Sequence, residues 1–337
     1  MVKKRDLQFQ KLTLISAVVL ITIFHLLWRS HFFYGNVSLL FPATMKITKF
    51  QNNQSYLDRT LSVCGEEVYG PRNVHPHCRM RWFNPRDAVA CANRLFSRKA
   101  NERTFNRTEH LNFIFIGDSR LRQIFLNFLK FIPHYDLEIE PRLNSLYKLH
   151  QDVSVTSRLL NLRLSFFWRP FLENCTKDII PQKIQHTADV VFFILGMAVH
   201  HMIRENHSSL EEYLHRLKEL LPLLNRMTVN SQVIWLKQYP VIELFGQNES
   251  HNTDIHSAKI HQYNLVSEEL LRKIGVTIWN SGNIFVEEYI RSCFLLQRDE
   301  YNISVDGFFS CLDYIHPGTA ALYSAMQLIL NEICYKT

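Results

Sequence analysis

Residues 112–119 read NFIFIGDS, an apolar run that ends in a glycine and is followed by an acid and a serine. A short apolar run bounded by glycine is typical of a strand that is buried on both faces of a sheet. Apolar residues then recur at helical spacing, at Leu121, Ile124, Phe125, Phe128 and Leu129. The stretch therefore predicts a buried strand, a sharp turn at Gly117 and a helix over 120–131.

Strand and helix signals alternate through the chain that follows. Further strands are predicted within 158–168 and at 190–195, 232–237 and 276–279, and further helices at 256–274 and 318–333. Another helix starts after Ser209, because Glu212 completes a capping box, and it runs toward Pro222. This alternation predicts a three-layer α/β/α sandwich with a mostly parallel sheet, in which ligands bind beyond the carboxyl ends of the strands.

Ser119 is a candidate nucleophile, because it follows the first strand and opens a helix whose free N–H groups can stabilise an anion. A serine hydroxyl needs an adjacent base, and a D-x-x-H motif before the last helix supplies Asp313 and His316. The histidine can accept the serine proton while the aspartate orients the imidazole. Ser119, Asp313 and His316 are thus a predicted catalytic triad. The alternative for each motif alone is a helix-capping residue or a surface histidine.

The blocks GDSRLRQ (117–123) and D-x-x-H (313–316) together resemble the SGNH/GDSL hydrolase superfamily. FIFIGDSRLRQIF (113–125) is similar to its PC-esterase group, and in particular to the lumenal domain of animal sialic acid O-acetyltransferases. The resemblance covers roughly 64–337, because stretches at 166–170, 235–241, 259–264 and 331–336 are also similar.

The resemblance implies that Ser119 is the nucleophile, His316 the general base and Asp313 its orienter. It also implies an oxyanion hole formed by the backbone N–H groups of Ser119 and Gly196. Many SGNH enzymes add an asparagine after the strand that ends at Gly196, whereas this chain continues Met-Ala-Val-His over 197–200.

Arg120 and Arg122 flank the candidate nucleophile and could pair with a sialate carboxylate or a coenzyme A phosphate. Positions two apart on a helix face different ways, so at most one is expected to enter the site, with Arg122 favoured. Trp168 is a candidate platform for stacking a sugar, with core packing as the alternative.

An apolar segment of 17 residues at 12–28 carries no formal charge and follows a basic flank. It predicts an uncleaved signal anchor, and the alternative of a cleaved signal peptide lacks an A-x-A site. The basic flank predicts a cytosolic tail at 1–11, a stem at 29–63 and a lumenal catalytic domain at 64–337. The expected protein is therefore single-pass type II, with the Golgi membrane as the favoured location.

The formal net charge of +7 sits mainly at the N-terminus. Residues 1–29 hold five Lys or Arg and one Asp, which gives +4 and leaves +3 for the remainder. A net charge this small is not typical of a nucleic-acid-binding surface, so no nucleic-acid partner is expected.

Two further patterns indicate an oxidising, glycosylating compartment. The chain has glycosylation sequons at Asn36, Asn53, Asn106, Asn174, Asn206, Asn248 and Asn302. It has seven cysteines, at Cys64, Cys78, Cys91, Cys175, Cys293, Cys311 and Cys334. Because seven is odd, at least one is free or intermolecular, and the sequence leaves the pairing open.

The expected function is that of a glycan O-acetyltransferase that works through an acyl-serine, with sialic acid as the favoured acceptor and acetyl-CoA as the donor. One alternative is a carbohydrate O-acetylesterase with the same triad, and another is a non-catalytic glycan-binding protein. No metal site is predicted, since His75, His77 and Cys78 lack a second ligand pair at zinc-finger spacing. The oligomeric state is left open.

Overall fold

The computed structural model describes residues 62–63, 78–79, 81–102, 110–141, 150–184, 190–203, 209–241, 254–280, 282–295 and 315–335. These residues all belong to one compact unit, Leu61–Thr337. The predicted tail, the anchor at 12–28 and the stem up to residue 61 lie outside them. Within the described ranges, no helix combines the length and apolar character needed to cross a bilayer.

Nine strands lie in the described part of the chain. They are β1 (Ser62–Val63), β2 (Cys78–Arg79), β3 (Leu111–Gly117), β4 (Leu137–Glu140), β5 (Val153–Ser157), β6 (Leu162–Trp168), β7 (Val190–Gly196), β8 (Gln232–Leu236) and β9 (Thr277–Trp279).

Eight helices accompany these strands in the same ranges. They are α1 (Pro85–Glu102), α2 (Ser119–Leu129), α3 (Asn174–Ile184), α4 (Val199–Met202), α5 (Leu210–Thr228), α6 (Ser257–Arg272), α7 (Asn283–Leu295) and α8 (Thr319–Tyr335).

Seven of the strands form one sheet in the order β4-β5-β6-β3-β7-β8-β9. Five neighbouring strands, β6, β3, β7, β8 and β9, run parallel to one another, whereas β4 and β5 form an antiparallel edge beside β6. β3 lies at the centre and is buried at every position, as its apolar sequence predicts. The predicted α/β fold with a mostly parallel sheet is thus confirmed.

The two faces of the sheet carry separate cores, because successive side chains of a strand point to opposite faces. Phe113 and Phe115 of β3 pack in one core with residues of α2 and α8, including Phe125 and Met326. Their neighbours on β3, Ile114 and Ile116, pack in the second core with residues of α5 and α6. Helices therefore cover both faces, which gives the predicted three layers.

The end of α5 differs from the sequence-based prediction. Its start is confirmed, since the Ser209 side chain accepts a hydrogen bond from the Glu212 N–H at 3.1 Å. The helix does not stop near Pro222 but continues to Thr228. An internal proline costs about 3 kcal/mol. Burial of Leu224 and Met227 beyond it offsets that cost, at roughly 1.5–3 kcal/mol for each side chain.

α1 is tied to the closing helix α8, a connection that the sequence left open. A disulfide joins Cys91 of α1 to Cys334 of α8 across 243 positions. Just before α1, the backbone of Phe83 exchanges two hydrogen bonds with the Gln327 amide, at 2.6 and 3.0 Å. The Asn331 amide holds the backbone of Arg81 in the same way, at 3.0 and 2.8 Å.

One cysteine in the described residues has a free thiol. It is Cys175, which is exposed on the first turn of α3, and its state agrees with the odd number of cysteines. Of the seven sequon asparagines, Asn174 lies in the described ranges and is exposed at the start of α3. Glycan attachment at all seven positions stays a prediction.

Candidate active site

Three neighbouring strands of the sheet end side by side at its carboxyl edge. In the register of β6, β3 and β7, Gly117 is opposite Trp168 on one side and Gly196 on the other. Ligands of parallel α/β sheets bind beyond this edge. The residues that follow these three positions therefore build the candidate site.

Gly117 is required by close packing between strands rather than by the predicted sharp turn. A Cβ at this position would lie 2.1 Å from the carbonyl oxygen of Gly196 and 2.9 Å from Leu121 Cδ2. The backbone of Gly117 does not adopt a positive φ, whereas that of Gly275 does. The glycine thus lets β3 and β7 converge, and the next N–H, that of Asp118, donates to the Gly196 carbonyl at 3.3 Å.

Ser119 and His316 meet at this edge. Ser119 is half-buried as the first residue of α2, behind Asp118, whose side chain accepts a hydrogen bond from the Arg120 N–H at 3.0 Å. The Ser119 Oγ lies 2.7 Å from His316 Nε2, although the two residues are 197 positions apart. A hydroxyl in contact with an imidazole nitrogen can transfer its proton there as it attacks an electrophile.

The third predicted member of the triad, Asp313, lies outside the described residues, and its role stays a prediction. Asp118, by contrast, is completely buried beneath the serine. Burial raises the pKa of Asp118, and the positive charges of His200 and Arg120 oppose that rise. Asp118 caps the helix, and no contact places it on the ring of His316.

A cluster of aromatic rings lies at the end of β6, where Trp168 is in register with Gly117. Trp168 is half-buried, with the ring of His150 stacked 4.4 Å away and that of His200 edge-on at 5.7 Å. Burial lowers the pKa of His200, and the charge of Asp118 opposes this effect. Trp168 stays a candidate platform for a sugar.

Arg120 contacts the protein itself rather than the open edge of the site. Its side chain is 2% exposed, and its guanidinium donates to the carbonyl oxygens of Tyr239 at 2.6 Å and Ile315 at 3.0 Å. It also lies 4.2 Å from the centre of the Tyr239 ring. We infer a positioning role for Arg120 in place of the expected substrate contact. Arg120 follows Ser119 and holds the residue that precedes His316.

Arg122, the arginine favoured from the sequence as a substrate contact, is also buried, at 6% exposure. Burial lowers the pKa of its guanidinium. Its backbone N–H continues α2 by donating to the Asp118 carbonyl at 3.0 Å. Both arginines thus lie inside the protein, and substrate binding by Arg122 stays a prediction.

We expect Arg120→Lys to lower kcat for acyl transfer about 10- to 100-fold while KM changes less than about 3-fold, because a mispositioned catalytic group costs about that much. A lysine keeps the charge but cannot bridge two carbonyl groups in the fixed geometry of a guanidinium. Steady-state kinetics and thermal unfolding should be measured together, with Arg158→Lys on the surface as the control. A variant that melts earlier yet keeps the wild-type kcat would contradict the positioning role.

His201 should make the stability of the protein depend on pH. It is 2% exposed, its Nε2 accepts the Leu172 N–H at 2.9 Å, and burial lowers its pKa to about 4. Between that value and the unfolded pKa of about 6.5, the unfolded chain binds the extra proton. This contribution to stability is therefore complete above pH 6.5 and is lost as the pH falls toward 4.

In urea unfolding of the wild type, we expect the titration of His201 to lower the free energy of unfolding by about 2 kcal/mol between pH 7 and pH 5. His201→Gln keeps an acceptor for Leu172 but cannot titrate, so its unfolding free energy should fall less over the same interval. Equal pH slopes for the two proteins would show that His201 is not the group responsible.

A positioning role for Arg120 and the rings of His150 and His200 were not expected from the sequence. Nor was Gln238, which follows β8 at the same sheet edge. A usable signal existed for Gln238, since the rule that ligands bind beyond the carboxyl ends of parallel strands applies equally to β8.

No family model matches the chain. Among solved structures, Est24, a carbohydrate acetylesterase from Sinorhizobium meliloti, is 11% identical, with 67% of this chain and 100% of that chain covered and a TM-score of 0.40. A GDSL-like lipase from Parabacteroides merdae is 10% identical, with 68% and 100% covered and a TM-score of 0.40. A peptidoglycan O-acetylesterase is 7% identical, with 74% and 94% covered and a TM-score of 0.43. Likeness at this level assigns no activity to the chain, whose function is argued from the contact between Ser119 and His316.

Proposed function

We propose that the protein is a glycan O-acetyltransferase of SGNH type, with acetyl-CoA as the donor and sialic acid as the favoured acceptor. The observation that carries the proposal is the 2.7 Å contact between Ser119 Oγ and His316 Nε2 at the carboxyl edge of a mostly parallel sheet. The apolar segment at 12–28 and the sequons support a place in the Golgi membrane, with the catalytic domain in the lumen.

In the first half-reaction, His316 Nε2 accepts the hydroxyl proton while Ser119 Oγ bonds to the thioester carbonyl carbon. The carbonyl π electrons move onto the oxygen, which forms a tetrahedral oxyanion. When these electrons return to the carbon, the carbon–sulfur bond breaks. The sulfur of coenzyme A leaves with the proton that His316 had taken up. An acetyl-serine and free coenzyme A remain, with every proton accounted for.

In the second half-reaction, His316 accepts a proton from a sugar hydroxyl as that oxygen attacks the acetyl carbon. The bond between the acetyl group and Ser119 Oγ then breaks, and the proton returns to Oγ. Trp168 is placed to influence the acceptor, because it is half-exposed at the end of β6 in register with Gly117. An aromatic face beside the nucleophile favours an acceptor with apolar C–H surfaces, such as a pyranose ring.

The test is to trap the acyl-enzyme. The purified full-length chain is mixed with acetyl-CoA, and the reaction is quenched in acid. The protein is then digested, and the mass of the peptide that contains Ser119 is measured by mass spectrometry. We expect it to gain the mass of one acetyl group. Adding sialylated oligosaccharide should then discharge the acetyl to the glycan, and desialylated glycan is the matched control acceptor.

Three outcomes would contradict parts of the proposal. Discharge to water at an unchanged rate when glycan is present would indicate an esterase rather than a transferase. Equal transfer to the desialylated control would exclude sialic acid as the preferred acceptor. If Ser119 gains neither an acetyl group nor a fluorophosphonate adduct, the protein is not an acyl-transfer enzyme.

A further inference from the structure

Gln238 lies at the carboxyl edge of the sheet, two positions beyond the end of β8. β8 is the neighbour of β7, the strand that ends at Gly196. The side chain of Gln238 is 5% exposed and lines a mainly apolar cavity together with Gly196 and Arg120. One end of this cavity is thus formed by the residue after Ser119 and by the last residue of β7.

The amide of Gln238 lies over the α-carbon of Gly196. Its Nε2 is 3.8 Å from the position that a Cβ on Gly196 would occupy. Gly196 is also the residue whose carbonyl accepts the N–H that precedes Ser119 in the chain, at 3.3 Å. The amide is therefore close to the point where the nucleophile helix and β7 meet.

Two asparagines fix the backbone of Gln238 at this edge of the sheet. Its N–H donates to Asn264 Oδ1 at 2.8 Å, and its carbonyl accepts from Asn264 Nδ2 at 2.7 Å. The Asn283 Nδ2 donates to the same carbonyl at 3.4 Å. Asn264 is itself buried on α6. Such anchoring of one backbone position is what a preorganised donor requires.

The side-chain amide itself has no hydrogen-bond partner within the described residues. Its Oε1 is buried without a donor, and no contact engages its Nε2. A buried amide left unpaired costs about 1–3 kcal/mol, so native proteins rarely keep one without a function. This one lines a cavity that Gly196 and Arg120, the residue after Ser119, also line.

We propose that the Gln238 amide donates a hydrogen bond to the oxyanion that forms when Ser119 attacks an acyl carbonyl. This inference rests on the proposed acyl-transfer function and adds a side-chain donor to the predicted N–H groups of Ser119 and Gly196. The amide transfers no proton, because its hydrogen bond strengthens only as the carbonyl π pair moves onto oxygen. A donor of this kind lowers the barrier of the chemical step and leaves the affinity for ground-state substrate almost unchanged.

The experiment compares wild-type, Gln238→Leu and Gln238→Met full-length chains with p-nitrophenyl acetate as the probe. We expect Gln238→Leu to lower kcat about 10²- to 10³-fold with KM within about 3-fold, the usual loss for one oxyanion donor. Gln238→Met keeps the length of the side chain but has no N–H to donate, so its kcat should fall about as far. Gln262→Leu, at an exposed glutamine on α6, is the matched control and should keep the wild-type kcat.

A transition-state analogue separates this role from a structural one. An aliphatic trifluoromethyl ketone forms an oxyanion with the serine, so its affinity should fall in Gln238→Leu by the same factor as kcat/KM. The matching alcohol forms no oxyanion, and its weaker binding should not change. A ketone affinity equal to that of the wild type would overturn the inference.

The failure of this inference can be distinguished from the failure of the proposed function. If Gln238→Leu keeps kcat within about 3-fold while wild-type Ser119 is still acetylated, the oxyanion role is wrong and acyl transfer stands, because a true donor is worth far more than that. If wild-type Ser119 takes no acetyl group, both fail. Should the leucine variant not fold, full kcat in Gln238→Met, which is close in size to glutamine but has no N–H, would overturn the inference.

Discussion

Ser119→Ala and His316→Ala should each lower kcat for acetyl transfer by about 10⁴-fold or more, and the double variant should lose no more than either single one. The reason is the 2.7 Å contact between the two side chains. Neither the hydroxyl without the base nor the base without the hydroxyl can form the acyl bond. Residues that act as one unit therefore give losses that do not add.

Two variants provide matched controls for this prediction. Ser209 is also a serine at the start of a helix, and it caps α5 through the Glu212 N–H. His256 caps α6 by accepting the Lys259 N–H at 3.2 Å. Alanine at either position should cost about 0.5–2 kcal/mol of stability and leave kcat unchanged. If the Ser119 and His316 variants also keep the wild-type kcat, the roles of both residues are limited to helix capping or packing.

Gly117→Ala should lower the free energy of unfolding by about 3 kcal/mol or more, at the upper end of the usual overpacking cost. The new methyl group would lie 2.1 Å from the Gly196 carbonyl oxygen. Because that oxygen belongs to the backbone of β7, the collision cannot be relieved by rotating a side chain. The ends of β3 and β7 must move apart, and Ser119 moves with them. A shift of about 1 Å in the nucleophile can cost 100-fold, so we expect kcat to fall by at least that factor.

Gly275→Ala is the control, because it strains the backbone without a collision. Gly275 has φ of 79°, and the nearest atom to a Cβ there is 3.9 Å away. It should destabilise the protein by roughly 1–2 kcal/mol and leave kcat intact. Denaturant unfolding and steady-state kinetics measure both effects. A Gly117→Ala protein with wild-type stability would mean that β3 and β7 are not packed as closely as described.

The centre of the fold is predictable because its signals are local. A strand such as β3, buried at all positions, is favoured by a continuous apolar run, and residues 113–116 (FIFI) form one. The cap of α5 is equally local, since Ser209 and Glu212 are three positions apart. The pairing of Ser119 with His316 was expected because a serine nucleophile needs an adjacent base, which the D-x-x-H motif supplies.

The remaining features depend on contacts between distant parts of the chain. The guanidinium of Arg120 binds the Ile315 carbonyl across 195 positions, and no local pattern announces that contact. A glycine at position 117 is compatible both with a sharp turn and with a close contact between strands, and the sequence does not distinguish the two. The antiparallel strand β4 has only four residues, which alternate between partial burial and exposure as is typical of a sheet edge. Four residues are too few for the alternating apolar pattern of a strand to be recognised in the sequence.

The distance along the chain between nucleophile and base has a consequence during synthesis. The ribosome makes the β3–α2 unit well before it makes His316 and the helix α8. α8 must then return to α1, where the Cys91–Cys334 disulfide and the amides of Gln327 and Asn331 join the two ends of the domain. Contacts this distant in sequence close slowly, so a nascent or truncated chain that lacks α8 would carry an inert serine. Ser119 would therefore become reactive toward acyl compounds only after α8 has docked.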